Sequence, residues 1–290
     1  MWRKIRDFLE LIRFSHTVFA LPFALASAVL AWRSEPFRWL DLLGILACMV
    51  LARSAAMGFN RLADRHYDAA NPRTAGRHLP SGRLSVLAVG IFTAVCSVGF
   101  LAATTLFIFS SGNWWPTYLS LPVLLFILGY SYTKRFTWLS HFWLGASLML
   151  APWATWIAIA GRLDWPAVWL GAAVLFWVAG FDTIYALQDV EFDRRARLLS
   201  FPARWGERAG LWLARICHAL TVVWLLAVWW SAQLGPIFLA GIAAVAGLLV
   251  LEHWLVREQD PARINLAFFH VNSIVSIGVL ALICADVLLV

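Results

Sequence analysis

The chain has 290 residues, 62% hydrophobic and 13% charged, with a formal net charge of +7. Soluble domains carry about a quarter charged residues, so this composition excludes a soluble fold and makes the lipid bilayer the main surrounding. The basic excess would suit nucleic acid, but its placement along the chain argues against that partner.

The N-terminus, MWRKIRDFLELIRF, is a basic amphipathic start leading into an apolar run, with no cleavable signal evident. Segments near the roughly 20 residues that span a bilayer follow at 14–32, 39–59, 84–109, 115–132, 139–160, 165–186, 210–230, 236–255 and 264–289. An all-α integral membrane protein with nine transmembrane helices is therefore expected. All but five of the 23 Lys and Arg lie in the N-terminal segment or in loops that follow even-numbered spans. The five are Arg33, Arg38 and Arg162 in the opposite loops, and Arg53 and Arg215 within spans. That asymmetry puts the N-terminus and the basic loops in the cytoplasm. The charge is an orientation signal, and no nucleic-acid partner is expected.

The second span ends in NRLADRHYD, where Asn60, Asp64 and Asp68 stand at i, i+4 and i+8 on one helical face. Arg53 lies seven residues earlier on nearly the same stripe, and an arginine inside a span normally faces a polar interior. The sixth span ends in FDTIYALQDVEFDRR, with Asp182, Tyr185, Asp189 and Asp193 again spaced for one face. Asp64 to Asp189 and Asp68 to Asp193 are both separated by 125 residues, and each motif runs into a basic loop on the same side. This reads as an internal duplication within one transmembrane domain over 1–290. Two four-helix units, about 14–132 and 139–255, are followed by a ninth helix at about 264–289.

One acidic cluster is ordinarily a solvated helix end. Two in equivalent positions, with Arg53 beside the first, favour a divalent-metal site. Oxygen ligands without His or Cys partners suit Mg²⁺, which completes its shell with water and phosphate. The seven histidines form no ligand spacing, and the four cysteines show neither zinc spacing nor a disulfide framework. His270 and Asn272, inside the ninth span, are expected to face the interior in packing roles.

Cations adjoin both motifs. AANPRTAGRHLPSGR carries Arg73, Arg77 and Arg83, YSYTKRF carries Lys134 and Arg135, and the second motif runs into Arg194, Arg195 and Arg197. Arginine forks and lysine charges suit phosphate oxygens. Metal, cations and access from lipid together point to a membrane-soluble diphosphate ester. If it is allylic, its ionisation yields a carbocation that an electron-rich acceptor captures. Tyr185 is the aromatic placed to shield such a cation. A secondary transporter would also show repeats and buried charges, but near mid-bilayer rather than at span ends. A non-catalytic lipid-binding or assembly protein would need no metal.

NRLADRHYD with RTAGRHLPSG resembles the first signature, N-x3-D-x3-D and its R-T-x-x-R-x-L-P-S-G loop, of the UbiA superfamily of intramembrane prenyltransferases. DTIYALQDVEFD resembles the second signature, and YSYTKRFTWLSH the basic segment between helices four and five. The resemblance implies two four-helix halves around a lateral cavity with a cytoplasmic cap, in a bacterial inner membrane. It implies that Asn60, Asp64, Asp68, Asp189 and Asp193 bind a magnesium diphosphate, two Mg²⁺ ions bridging the diphosphate. Arg73, Arg77 and Lys134 would touch the diphosphate, and Arg53 and Arg135 would position it or the acceptor. Asp182 would act as general base, orient the acceptor, or pack between helices. The implied reaction joins a polyprenyl diphosphate to an aromatic acid. Members acting on 4-hydroxybenzoate often read T-x-x-P-Q, where this chain has Thr137-Trp-Leu-Ser140-His141. That departure resembles a sister group in menaquinone synthesis, with a dihydroxynaphthoate-type acid. Haem or a phenolic or chlorin ring would be other family acceptors, and Asn71-Pro72 before Arg73-Thr74 argues against haem.

Overall fold

A computed structural model describes residues 7, 8, 10, 11, 18–258 and 260–289, and no strand occurs among them. In chain order the helices are α1 (Leu21–Ala31), α2 (Trp39–Ala63), α3 (Arg65–Ala70), α4 (Val86–Ala103), α5 (Leu106–Ser111), α6 (Trp115–Thr133) and α7 (Ser140–Ala160). There follow α8 (Trp165–Ala186), α9 (Val190–Arg195), α10 (Phe201–Trp205), α11 (Glu207–Ser231), α12 (Pro236–Leu255), α13 (Pro261–Leu266) and α14 (Asn272–Leu289). Every expected span contains a helix, and seven described stretches are long and apolar enough to cross a membrane. The other two expected spans correspond to α1, with 11 residues, and α6, with 19. Residues 12–17, at the expected start of the first span, lie outside the described residues.

One expected span is interrupted. The third breaks between α4 and α5, where Thr104 and Thr105 turn their hydroxyls back to the carbonyls of Leu101 and Ala102. Such back-bonding competes with the helical ladder. The sixth, 165–186, is the unbroken α8, and beyond it the chain passes through a 3₁₀ turn, Leu187–Asp189, into α9. At 3.0 rather than 3.6 residues per turn, those three residues rotate the following face by roughly 60° more than an α-helix would. The second motif is therefore a kinked stripe.

The chain forms two compact units, one of residues 1–17 and 38–132, the other of 18–37 and 133–290. In the first, α2 packs on α4 and α5. Helices in lipid gain little from the hydrophobic effect and rely on small residues for close contact. Gly58 supplies this on α2, because an added methyl would collide with the Thr93 hydroxyl of α4. Ala55, Cys96, Phe100 and Leu124 form the buried seam.

In the second unit α8 packs against α7 and α11, α1 packs against α7 and α14, and α12 packs against α14. The apolar window of the span containing α8 is 67% buried, against 28–39% in the other six spans. Of the seven long spans this makes the one containing α8 the most internal, while the short α1 of the same unit is also largely buried. Trp177 on α8 is fully buried and meets Phe19, Phe23 and Phe181. Close approach of α7 to α8 requires Gly145, since a Cβ there would strike the backbone carbonyl of Leu175.

Candidate active site

The first motif lies at the end of α2. Asp64 caps that helix with φ −96° and ψ 7°, yet helical hydrogen bonds continue across it, Asp64 N–H to Asn60 and Asp68 N–H to Asp64. The stripe therefore survives the small break before α3. Asn60 Nδ2 donates to Asp64 Oδ2 at 2.8 Å and stands 3.5 Å from Ser131 Oγ on α6. Asp68 is buried. Its Oδ1 accepts from Arg77 Nη1 at 2.6 Å, Arg61 Nη1 is 3.9 Å from Oδ2, and the Thr74 hydroxyl binds its backbone carbonyl. Asn71 Oδ1 accepts the Arg73 backbone N–H, which turns the loop back over α3. Arg53 is half-buried on α2.

Beside this bank is a basic cavity of about 230 Å³ lined by Arg61, Arg73, Arg77, His78 and Arg83, with Glu10 at its edge. His78 Nε2 lies 3.4 Å from Glu10 Oε2. Burial and the Arg83 charge lower the His78 pKa despite Glu10, which keeps the ring neutral at physiological pH. Asp7, Glu10 and His78 bring ligand atoms within 4.8 Å of one another. Linear spacing shows no such group because Glu10 and His78 are brought together by the fold.

The second motif belongs to the other unit. Asp193 is buried on α9 and its Oδ2 accepts from Lys134 Nζ at 3.0 Å. Burial opposes the Lys134 charge, but Asp193, Asp189 and Asp182 outweigh it and raise the pKa above 10.5. Backbone bonds from Leu198 to Asp193 and from Leu199 to Lys134 lash the loop after α9 to the lysine segment. Asp189 is buried at the end of the 3₁₀ turn. Tyr185 packs on Phe268 with ring centroids 4.3 Å apart. Arg135 is exposed, and Arg195 is spent on a surface pair with Glu191 at 2.8 Å. Asp182 Oδ2 lies 2.7 Å from Nδ1 of the fully buried His141.

The first unit thus holds Arg53, Asn60, Asp64, Asp68, Arg73 and Arg77, and the second holds Lys134, Arg135, Asp182, Tyr185, Asp189 and Asp193. Two contributors escaped the sequence reading. Arg61 sits seven residues before Asp68, a helical spacing that could have revealed it. His141 is 41 residues from its partner, and no local pattern signals that contact. His270 is exposed while Asn272 is buried, which corrects the expectation that both face inward. A π-turn, Ala267–Val271, runs into α14 just before Asn272, and residues two apart on a helix do not share a face.

The model of the UbiA prenyltransferase family matches residues 20–274. The chain belongs to the UbiA prenyltransferase family. Among UbiA relatives, a 4-hydroxybenzoate octaprenyltransferase of Dechloromonas aromatica is 28% identical over 251 residues, 86% of this chain and 81% of that protein. One from Marinobacter nauticus is 31% identical over 221 residues, 76% and 73% of the two chains. The apo structure of a UbiA homolog from Aeropyrum pernix K1 aligns with a TM-score of 0.83 at 32% identity, covering 93% of this chain and 98% of that one. A UbiA homolog from Archaeoglobus fulgidus, solved bound to GPP and Mg²⁺, shares the fold with a TM-score of 0.70 at 19% identity, over 96% and 99% of the chains. This UbiA chain is a membrane prenyltransferase, which sets aside the transporter and non-catalytic alternatives.

Proposed function

We propose that this UbiA member transfers a polyprenyl group from a polyprenyl diphosphate to the ring of a hydroxylated aromatic acid, releasing diphosphate. The acid is of the 4-hydroxybenzoate or dihydroxynaphthoate kind, which places the reaction in ubiquinone or menaquinone synthesis. The observation that carries the reading is a repeated one. In each motif a buried aspartate is held by a nearby cation, Asp68 by Arg77 and Asp193 by Lys134. The names of the octaprenyltransferase relatives support the aromatic acid. The GPP and Mg²⁺ bound to the Archaeoglobus fulgidus homolog support the donor and the metal.

Mg²⁺ fits the residues present. The donors are carboxylate and amide oxygens, and Asp68 Oδ2 is buried with no hydrogen-bond partner among the described residues. Asn60, Asp64, Asp68, Asp189 and Asp193 would hold two ions. Bound Mg²⁺ neutralises diphosphate oxygens and so improves the leaving group.

The side chains divide the remaining work. Arg73, Arg77 and Lys134 bind diphosphate oxygens, while Arg53 and Arg135 position the diphosphate or the carboxylate of the aromatic acid. Tyr185, braced by Phe268, offers a ring face to the allylic cation. Asp182 orients the aromatic substrate. The ester carbon–oxygen bond breaks with its electron pair on the diphosphate, the ring carbon ortho to the hydroxyl attacks, and loss of the ring proton restores aromaticity. The site opens toward the cytoplasm.

Mass spectrometry of products tests this, with purified enzyme offered both classes of acid and several prenyl diphosphates. Wild-type protein should prenylate one class. Asp64→Asn and Asp189→Asn should each lose at least about 100-fold in turnover, the order seen when preorganised charge stabilisation is removed. Near-wild-type turnover in both variants would remove the metal roles, and no prenylated aromatic acid from wild type would overturn the function.

A further inference from the structure

His141 has no part in the metal motifs, yet both of its ring nitrogens are engaged. It is the second residue of α7, with no exposed surface. Its Nε2 receives the Phe201 backbone N–H at 3.4 Å. A backbone amide only donates, so Nε2 carries the lone pair and the ring proton sits on Nδ1. That proton points at Asp182 Oδ2, 2.7 Å away. The tautomer is therefore set by the chain itself. Asp182 is pinned from behind by a neutral donor, while its other oxygen, Oδ1, makes no hydrogen bond with any described residue. The carboxylate retains 16% exposure.

The position on α8 gives this pair a use. Asp182 precedes Tyr185 by one turn and Asp189 by seven residues, about 10 Å of helical rise. A diphosphate held at Asp189 and Asp193 would put its allylic carbon near the level of Tyr185. The partner of that carbon then lies one turn further, level with Asp182. An aspartate there has an open oxygen to receive a hydroxyl and charge enough to enrich the ring that carries it.

We infer that His141 is a positioning residue for the aromatic substrate, holding Asp182 so that Oδ1 receives the hydroxyl next to the carbon that is prenylated. The inference rests on the aromatic-acid reaction proposed above. It also assigns a task to the position where this chain has Ser140-His141 in place of Pro-Gln.

The test uses steady-state kinetics of the full-length protein in lipid nanodiscs with Mg²⁺, geranyl diphosphate and 4-hydroxybenzoate or 1,4-dihydroxy-2-naphthoate. His141→Leu removes the donor at similar size. It should raise KM for the aromatic acid at least about tenfold, the scale of one lost hydrogen bond to a charged group, and leave KM for geranyl diphosphate within about twofold. His141→Asn, whose amide reaches the Nδ1 position, should recover most of the loss. If His141→Leu fails to fold, Asp182→Asn with His141 intact should show the same selective rise. A rise in both KM values together, a fall in thermal stability with unchanged kinetics, or no recovery in His141→Asn would overturn the inference and leave His141 a packing residue. Wild-type protein that prenylates neither acid would overturn the reaction itself, a result visible before any variant is made.

Discussion

Arg77 Nη1 stands 2.6 Å from Asp68 Oδ1, nine residues back along the chain. This ion pair folds the loop after the first motif onto α3. It also places a guanidinium against one of the carboxylates proposed for Mg²⁺. Removing the cation leaves a buried carboxylate facing, among the described residues, only Arg61 at 3.9 Å. Arg77→Met should cost about 1–3 kcal/mol of stability and lower kcat/KM for the prenyl diphosphate by at least about tenfold. Arg77→Lys should restore part of the stability but little of the catalytic loss, because a point charge cannot reproduce the fork. Thermal unfolding beside donor kinetics reads both, and wild-type values for Arg77→Met would contradict the assignment.

Lys134 gives a prediction with a definite sign in pH. Its folded pKa lies above the ordinary 10.5, because three aspartates outweigh the cost of burial. A cation with a raised folded pKa contributes stability that is complete below the unfolded value and lost as pH rises through the folded one. Its contribution is therefore constant between pH 6 and 9. Lys134→Met should lower the melting temperature by the same amount at both ends of that window. A penalty that shrinks between pH 6 and 9 would show that Lys134 titrates there, against this account.

In the interior of the second unit, Trp177 Nε1 donates to Asn272 Oδ1 at 2.7 Å, and Asn272 Nδ2 donates to Glu252 Oε1 at 2.9 Å. The same amide approaches the Ala267 and Phe268 carbonyls of the π-turn at 3.4 and 3.2 Å. Asn272→Leu strands an indole N–H, a fully buried carboxyl and two carbonyls at once. Its expected cost is about 2–4 kcal/mol, measured as a fall in thermal stability in detergent. Because Phe268 braces Tyr185, turnover of the folded fraction should fall as well. A variant as stable and active as wild type would show that the network is idle.

The orientation is tested by labelling. In a background lacking Cys48, Cys96, Cys217 and Cys284, single cysteines replacing Ala75 or Arg197 should react with a membrane-impermeant maleimide only after the inner face is opened. Cysteines replacing Asn113 or Gln233 should react in intact cells. The reverse pattern would invert the topology and with it the proposed cytoplasmic site.

The sequence by itself determined the solvent, the helical class and the two acidic stripes. Bilayer thickness and the helical repeat act on neighbouring residues, so they leave periodic marks such as Asn60, Asp64 and Asp68. The same locality hid the break at Thr104, one turn inside an otherwise apolar run, and the 3₁₀ turn at Leu187–Asp189 within the second motif. Only the tertiary structure decided which cation neutralises which carboxylate, that His141 stands behind Asp182, and that Asn272 rather than His270 faces inward. Those contacts depend on where helices cross and how closely glycines such as Gly145 let them approach. No spacing along a single helix encodes that geometry.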